Sequence, residues 1–417
     1  MTSPGILFVN GVVSYSSETP SVSTLLQTHP GAYTTTRTHN NGSCVMFWER
    51  HVQRLANSAR ILFDSNPQLL FKSTDVIPSL LKPISSSSMW ESMIKSLVDG
   101  SLNKALPVAL KERRDGEELA VTLLVEGDFQ KLSGFEDVSG LSICGVFDVY
   151  AHFSGYVPFA FGVHGNGARL AVVGPGRDVA EAKYSDWVRL RKPLEKLRPP
   201  SVTELLLSND GDQILEGSVT NFFVVCRKDN RAADFEVQTA PISDGVLPGV
   251  IRQLVIEVCA SKGIPLREVA PSWSEHELWE EAFITNSLRV LQHVESIQVP
   301  RSWELHESKC WDEIAWKEKQ FEESPGPLTK VIQFENSATL SKKSELLNAI
   351  IHYIPLFRGT QERDHRESRV GVMHIKRVNR LVFHFNLIFL GRLEEIAYPT
   401  VGSEEEHKNC IACLCEL

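Results

Sequence analysis

The alternation of strand-like and helix-like segments in the second half of the chain is the feature that most constrains its fold. Short runs of apolar and β-branched residues predict strands over four segments: 169–173, the stretches around Asp210-Gly211, 221–226 and 282–285. Longer runs with helical spacing predict helices over two segments: 185–197, with an interruption at Pro193, and 248–262. A chain that alternates in this way is predicted to form a mixed α/β domain.

The first half also combines strands with a helix. Strands are predicted over these segments: 6–9, 12–15, the two runs on either side of Asn41-Gly42, and 118–125. Val52, Leu55, Ala59 and Leu62 recur at helical spacing, which predicts an amphipathic helix. Because Arg54 lies off that apolar face, its side chain is predicted to project from a structured element.

A segment rich in turn residues separates the two halves, and it predicts a linker between domains. After Gln333 the sequence becomes charged and irregular, which is typical of a segment outside a packed core. We therefore divide the chain into four parts: an N-terminal α/β domain at 1–152, a linker at 153–167, a C-terminal α/β domain at 168–333 and an atypical, loosely ordered tail at 334–417.

Charge and composition exclude several classes of partner. The chain has 417 residues and a net charge of −9, and it contains no long run of Lys and Arg, so we expect no nucleic-acid partner. The most apolar late stretch, 381–390, is interrupted by His384 and Asn386 and is too short to cross a membrane. The first residues lack the pattern of a secretory or organelle signal. We expect a cytoplasmic protein with no membrane partner.

The cysteines do not indicate a metal site or a disulfide framework. His407, Cys410, Cys413 and Cys415 are ligand types at close spacing, but they crowd the end of the chain. The other cysteines are scattered, as is typical of reduced thiols. We therefore predict no bound metal.

Three features of the second half could together hold an aldehyde cofactor. Lys183 supplies an amine that can form a Schiff base. Glu216 supplies a carboxylate that can keep a pyridine nitrogen protonated. Leu247-Pro248-Gly249 precedes a predicted helix whose first N–H groups, at Val250 and Ile251, could bind a phosphate. Taken alone, Lys183 would be read as a surface charge.

These segments resemble the signature of the class IV, or fold-type IV, aminotransferases. Within "LEGSVTNFFVV" the family's Glu-Gly-Ser-x-x-Asn pattern is matched by four residues: Glu216, Gly217, Ser218 and Asn221. The resemblance spans about 7–297 and is closest to plant-type members described as D-amino-acid-aminotransferase-like. It implies a two-domain α/β (α+β) enzyme with a small N-terminal and a larger C-terminal domain. It also implies pyridoxal 5'-phosphate as cofactor and a homodimer.

The resemblance assigns a role to further residues. It implies that Lys183 is the catalytic residue and holds the cofactor, with Asn221 in the cofactor site. Arg54, in "HVQRLANSARIL", and Ser287, in "FITNSLRV", match residues that bind the phosphate. Tyr33 matches an aromatic residue of the substrate pocket. Without the resemblance, Arg54 would be read as a surface charge and Tyr33 as a packed strand residue.

Three positions depart from the family pattern. Asp186 stands where the family has Asn, and Asn286 where it often has Gly. Glu126 lies near the position at which D-amino-acid enzymes carry an Arg for the substrate carboxylate, which weakens the case for D-amino-acid specificity of that kind. The amino acid and its stereochemistry therefore stay open.

Transamination between an amino acid and a 2-oxo acid is the leading hypothesis. A lyase of the aminodeoxychorismate type would use the same cofactor and Lys183 but would release pyruvate. A third possibility is a non-catalytic protein that keeps the fold as a binding module, which the departures at Asp186 and Asn286 and the unusual tail would fit. The intact set of Lys183, Glu216 and Arg54 argues against that reading.

Overall fold

Two β-sheets with helices packed on them make up the described part of the protein. The computed structural model describes these residues: 3–14, 19–72, 87–132, 144–228, 235–303 and 310–337. All of them belong to one compact unit. The mixed α/β architecture predicted from the sequence is confirmed.

The first sheet has six strands, and every neighbouring pair is antiparallel. Its strands are β1 (Ile6–Val9), β2 (Val12–Val13), β3 (Ala32–His39), β4 (Cys44–Val45), β5 (Glu118–Gly127) and β6 (Phe147–Tyr156). They lie in the order β2-β1-β6-β5-β3-β4. The β3–β4 connection turns at Asn41 and Gly42, both of which have positive φ, as the Asn-Gly pair predicts.

Three helices accompany this sheet: α1 (Val22–Thr28), α2 (Trp48–Ser65) and α3 (Ser87–Lys111). The predicted apolar face of α2 is confirmed, because Val52, Leu55, Ala59 and Leu62 are all buried. Trp90 of α3 lies 5.2 Å from Phe63 of α2 and 6.0 Å from Phe147 of β6 between ring centroids. These contacts fix α2 against the sheet and thereby position Arg54.

The second sheet has nine strands. They are β7 (Ala168–Val173), β8 (Glu204–Ser208), β9 (Ile214–Gly217), β10 (Asn221–Arg227), β11 (Phe235–Thr239), β12 (Leu266–Glu268), β13 (Trp279–Asn286), β14 (Val290–Pro300) and β15 (Trp316–Gln320). Eight of them lie in the order β12-β11-β10-β13-β14-β7-β8-β9, and β15 pairs with β14. Parallel pairs at β7–β8, β7–β14 and β11–β12 mix with antiparallel ones.

Four helical segments belong to the second half: α4 (Trp187–Leu190), α5 (Lys192–Glu195), α6 (Val250–Lys262) and α7 (327–337). The predicted helix is interrupted, but at Arg191 and not at Pro193, which lies in the first turn of α5 where proline is tolerated. Ile332 of α7 is fully buried in the core that α6 forms with β10 and β13. The proposed domain end at Gln333 therefore falls inside a helix.

Several elements extend or add to the sequence-based assignment. Strand β6 continues to Tyr156, four residues into the proposed linker, and the connection that follows turns at Gly162 and Gly165. The sequence reading missed α1, α3, α7, β6, β11, β12, β14 and β15. Three predicted features lie wholly or partly outside the described residues: the end of the strand at 12–15, the apolar run at 381–390 and the cysteine-rich end. Among the residues that are described, no helix is long and apolar enough to cross a membrane.

Candidate active site

A cavity of about 650 Å³ is lined by residues from both sheets. It is bounded by β3 and β5 on one side and by the ends of β9, β10 and β13 on the other. Every residue proposed for the site contributes to its wall: Tyr33, Arg54, Lys183, Glu216, Asn221, Val250, Ile251 and Ser287. Residues that are far apart in the chain are thus brought together, although their individual roles stay predictions.

Lys183 lies in the loop after β7, and two hydrogen bonds to its backbone hold it in place. Its carbonyl accepts a hydrogen bond from the Tyr33 N–H at 2.9 Å, and its N–H donates to Ser58 Oγ at 3.0 Å. Its Nζ lies 4.7 Å from the centroid of the Tyr33 ring. Burial lowers the pKa of Lys183, and the charges of Arg54 and Arg177 add to this effect. Because its pKa is lowered, a larger share of Lys183 is the neutral amine, which is the form that attacks an aldehyde.

Tyr33 closes the wall beside that amine. It is buried on β3. Burial alone would raise the pKa of Tyr33, but the positive charges of Lys183, Arg191 and Arg177 outweigh it and lower the pKa. The Tyr33 ring therefore lies beside the Lys183 amine in the cavity wall.

Glu216 is buried on β9, and both of its carboxylate oxygens are engaged. Oε1 accepts from Arg177 Nε at 3.0 Å and Nη2 at 2.8 Å. Oε2 accepts from the Leu247 N–H at 3.1 Å and from Asn221 Nδ2 at 3.3 Å. Burial raises the pKa of Glu216, and the Arg177 charge opposes this rise. The carboxylate is held in one orientation in the cavity wall.

Arg177 is a site residue that the sequence reading missed. Its guanidinium bonds Glu216, donates to the Ala180 carbonyl at 2.9 Å and lies 5.5 Å from the Trp187 ring centroid. Its side chain is only 5% exposed, so the ion pair is largely shielded from water. An Arg in a Gly-Pro-Gly-Arg loop shows no periodicity, and only the nearby Lys183 could have drawn attention to it.

Arg54 projects from α2 into the same cavity and is aligned by a buried pair of polar residues. Its Nη2 donates to Thr34 Oγ1 at 2.9 Å, and that hydroxyl lies 2.7 Å from His51 Nδ1. Burial lowers the pKa of His51 well below its ordinary value, so neutral His51 can accept the Thr34 proton. Arg54 Nε is buried and has no partner among the described residues. Donors of this guanidinium are thus left for a ligand.

The first turn of α6 reaches the cavity beside Arg54. The helix begins after Gly249, and among the described residues no side chain caps its first N–H groups. Val250 and Ile251 line the wall. A Cβ at position 249 would clash with Asn221 Oδ1, so the close approach requires glycine. The Thr285 hydroxyl, also in the wall, is buried without a partner in the described structure. Free N–H groups and a cation at a helix start form an anion site.

A tight turn at 286–289 forms another part of the wall. Asn286 Oδ1 accepts from the Leu288 N–H at 3.1 Å and from the Arg289 N–H at 2.9 Å. The Leu288 carbonyl accepts from Arg37 Nε at 2.9 Å and from the Tyr156 hydroxyl at 3.1 Å. The unusual Asn286 therefore closes an Asx turn by its own side chain.

The other two departures from the family pattern lie away from the cavity wall. Asp186 forms a two-pronged ion pair with Arg189 at 2.7 and 2.8 Å. Glu126 is buried, where it pairs with Lys72 at 2.8 Å and accepts from the Tyr150 hydroxyl at 2.9 Å. Neither lines the cavity. Within the part of the chain that the structure describes, no cluster of His, Cys, Asp or Glu could hold a metal.

A family comparison matches the cavity to a known class. Residues 170–297 match the family model for amino-transferase class IV. The chain carries a class IV aminotransferase domain. Enzymes of this class depend on pyridoxal 5'-phosphate. The matched region contains Lys183, Glu216 and the start of α6.

Solved structures of other aminotransferases share the fold. The branched-chain aminotransferase from Thermoproteus uzoniensis, solved with norvaline, is 20% identical with a TM-score of 0.50, and the match covers 84% of this chain and 98% of that one. A hypothetical aminotransferase from Mycobacterium tuberculosis is 14% identical with a TM-score of 0.51, covering 81% and 99%. A search of curated proteins found no match. At these identities the structural likeness concerns the fold.

The polar atoms of the cavity fit pyridoxal phosphate. The unpartnered Arg54 Nε, the Thr285 hydroxyl and the free N–H groups of α6 form a donor set that suits a phosphate dianion. The same wall offers a carboxylate at Glu216 and an amine at Lys183, the kinds of group that would pair with the cofactor's pyridine nitrogen and aldehyde. The arrangement can hold the cofactor along one wall and leave the remaining space for a substrate.

Proposed function

We propose that this enzyme moves an amino group between an amino acid and a 2-oxo acid by way of Lys183. The observation that carries the proposal is the single cavity that collects Lys183, the Glu216–Arg177 pair and the donor set of Arg54 and α6. A surface lysine or an isolated ion pair would not explain why all of these groups face the same space. Their positions suit a phosphate at one end and a reacting amine at the other.

Lys183 is proposed to act as nucleophile and then as proton carrier. When bound, the cofactor supplies an electron sink that makes the substrate's α-proton acidic. The Lys183 Nζ would be the base that removes the proton from the substrate α-carbon and the acid that returns a proton. Burial, which lowers the pKa of Lys183, favours the neutral base that this step requires.

Glu216 is proposed to stabilise positive charge on the pyridine nitrogen. Its carboxylate is aligned by Arg177, Asn221 and the Leu247 N–H. Burial raises the pKa of Glu216, and the Arg177 charge and the hydrogen bond from the Leu247 N–H oppose that rise. These donors therefore favour the anionic form, which would pair with a protonated ring nitrogen.

Two further properties are proposed. We propose that the protein is a homodimer and that it works in the cytoplasm. The support is the class IV resemblance for the first and, for the second, the scattered cysteines, which are typical of reduced thiols. Sedimentation of the purified protein at several concentrations tests the oligomeric state, and a fluorescent fusion at the C-terminus tests the location.

The direct test of transamination is a substrate panel. Purified enzyme with bound cofactor is mixed with L- and D-amino acids, each paired with a 2-oxo acid, and amino transfer is measured by chromatography. We expect a new amino acid to form. In Lys183→Ala we expect the rate of amino transfer to fall by a factor on the order of 10⁴. Lys192→Ala is the matched control, since Lys192 bonds Gln27 outside the cavity.

Borohydride reduction then identifies the amine that holds the cofactor. We expect the label on the peptide containing Lys183. Label on Lys192 or Lys196 would reject the assignment. Pyruvate release without amino transfer would indicate the lyase instead, and cofactor binding with no product from any amino acid would indicate the non-catalytic module.

A further inference from the structure

Arg191 is a cationic side chain in the cavity that has no role in the proposed chemistry. Arg191 lies between α4 and α5, eight residues after Lys183 in the chain, and it lines the same cavity. Near it the wall is apolar, formed by Val22 and Leu26 of α1 and by Val188 of α4. A guanidinium beside apolar side chains is an arrangement that orients an amphipathic ligand.

The terminal nitrogens of Arg191 are available to such a ligand. Its Nε donates to Glu195 Oε1 at 2.9 Å, but Nη1 and Nη2 have no hydrogen-bond partner in the described residues. The side chain is 18% exposed, whereas that of Glu195 is 46% exposed. The Glu195 contact therefore steadies one edge of the guanidinium and leaves its outer pair of N–H groups free.

The other arginines of the cavity are engaged or assigned. Arg177 is bound to Glu216. Arg289 donates from Nη1 to Gln292 at 2.7 Å and from Nη2 to Glu204 at 2.9 Å. Arg54 lies at the phosphate end, with α6. Arg191 therefore differs from the other cavity arginines. Among the described residues, its two terminal nitrogens have no protein partner, and no cofactor contact is proposed for them.

Two alternative anchors for an organic acid are also occupied. The N–H groups of Leu288 and Arg289 both donate to Asn286 Oδ1, so they do not face the cavity as free donors. Glu126 lies near the position at which D-amino-acid enzymes carry an Arg for the substrate carboxylate. Here that position holds a buried carboxylate, which is paired with Lys72. A substrate that carries a carboxylate must therefore find its cation elsewhere in the wall.

We propose that Arg191 binds a carboxylate of the substrate through its two terminal nitrogens. The planar guanidinium matches a carboxylate in a two-pronged contact, and the flanking apolar residues accommodate a hydrocarbon chain. This inference rests on the proposed transaminase function. Arg191, on the segment that also carries Lys183, would then make the enzyme prefer amines that carry a carboxylate over simple amines.

Ligand binding by the cofactor-loaded enzyme tests the inference without turnover. The probes are 3-methylbutanoate, its neutral isostere 3-methylbutanamide, and glutarate, with affinity measured by calorimetry. In Arg191→Gln we expect at least one acid to bind about tenfold more weakly, while the amide is unaffected. If only glutarate loses affinity, Arg191 binds a distal carboxylate. If both acids lose affinity, Arg191 binds the carboxylate that all substrates share.

A matched control is available two residues away. Arg189 is 61% exposed, is paired with Asp186 and does not line the cavity, so Arg189→Gln should bind all three probes as the wild type does. Arg191→Lys should recover part of the lost affinity, because it restores the charge without the fork. Unchanged acid binding in Arg191→Gln, or equal loss for acids and amide, would overturn the inference. Absent turnover with intact carboxylate binding would reject the transaminase proposal instead.

Discussion

The two ends of the cavity differ in how completely their polar groups are bonded. At the Glu216 end, both carboxylate oxygens have partners within the chain, supplied by Arg177, Asn221 and Leu247. At the Arg54 end, the guanidinium Nε is buried without a partner in the described structure, and the first N–H groups of α6 have no side-chain cap.

The difference indicates what each end is built to do. A fully bonded charge is fixed in place and can act on a neighbour without moving, which suits a group that must stabilise charge as a reaction proceeds. Buried donors without acceptors cost free energy in the folded protein, and an incoming anion that satisfies them recovers it. The first end is suited to chemistry and the second to holding a ligand, so variants at the two ends should fail in different ways.

Glu216→Gln should give the larger defect in turnover. We expect cofactor to remain bound but proton removal from the substrate to slow by roughly 10²–10³-fold, because a neutral amide cannot stabilise a protonated pyridine nitrogen. Stopped-flow absorbance of the bound cofactor measures the step. Wild-type turnover in this variant would remove Glu216 from the mechanism.

A loss of stability could imitate this defect, because Glu216→Gln leaves the buried Arg177 without its counter-ion. We expect the unfolding free energy to fall by about 3 kcal/mol for that reason. The double variant with Arg177→Met removes both charges and should regain part of the stability while staying slow. If it regained activity as well, the single variant's defect would be one of folding.

Arg54→Ala should mainly weaken cofactor binding. A charge-assisted hydrogen bond to phosphate contributes about 1.5–3 kcal/mol, so we expect the Kd for pyridoxal phosphate to rise roughly 10–150-fold, with turnover largely recovered when cofactor is in excess. Arg50→Ala is the control, since Arg50 lies one turn earlier on α2 and pairs with Glu257 at 2.7 Å. An unchanged Kd in Arg54→Ala would make Arg54 a structural residue only.

Two truncations should show whether either end of the cavity depends on the last part of the chain. Removal of the residues after α7 is expected to have the smallest effect of all the variants. We propose that the catalytic fold needs α7 but nothing after it. Ending the chain at Ser337 should leave the Kd for cofactor and the melting temperature nearly unchanged. Ending it at Gly326 removes Ile332 from the core and should cost at least about 2 kcal/mol. Loss of cofactor on ending at Ser337 would show that the tail is structural.

Much of the fold could be predicted because local signals there agree with the final contacts. The spacing of Val52, Leu55 and Leu62 reports a face that is buried in the structure. The pair Asn41-Gly42 needs no tertiary information to favour a turn. By contrast, α3 contains Gly100 and Pro107 and was missed, because packing around Trp90 stabilises a helix that its local sequence disfavours.

The site divides in the same way. Lys183, Glu216 and the start of α6 could be found because they belong to a recognisable pattern of spacing. Arg177 and the Thr34–His51 pair could not, since their importance comes from contacts with Glu216 and Arg54 that only the folded chain creates. Arg191 was passed over because in sequence it is one of several charges in a short helical stretch.

The turn closed by Asn286 has a consequence for the speed of substrate capture. A loop that must become ordered around its ligand slows association and reduces affinity by the conformational entropy it loses. Here Asn286 Oδ1 gathers the N–H groups of Leu288 and Arg289, while Arg37 and Tyr156 hold the Leu288 carbonyl, all within the protein itself. Because the protein's own hydrogen bonds hold this part of the wall, we expect that substrate capture does not have to order it.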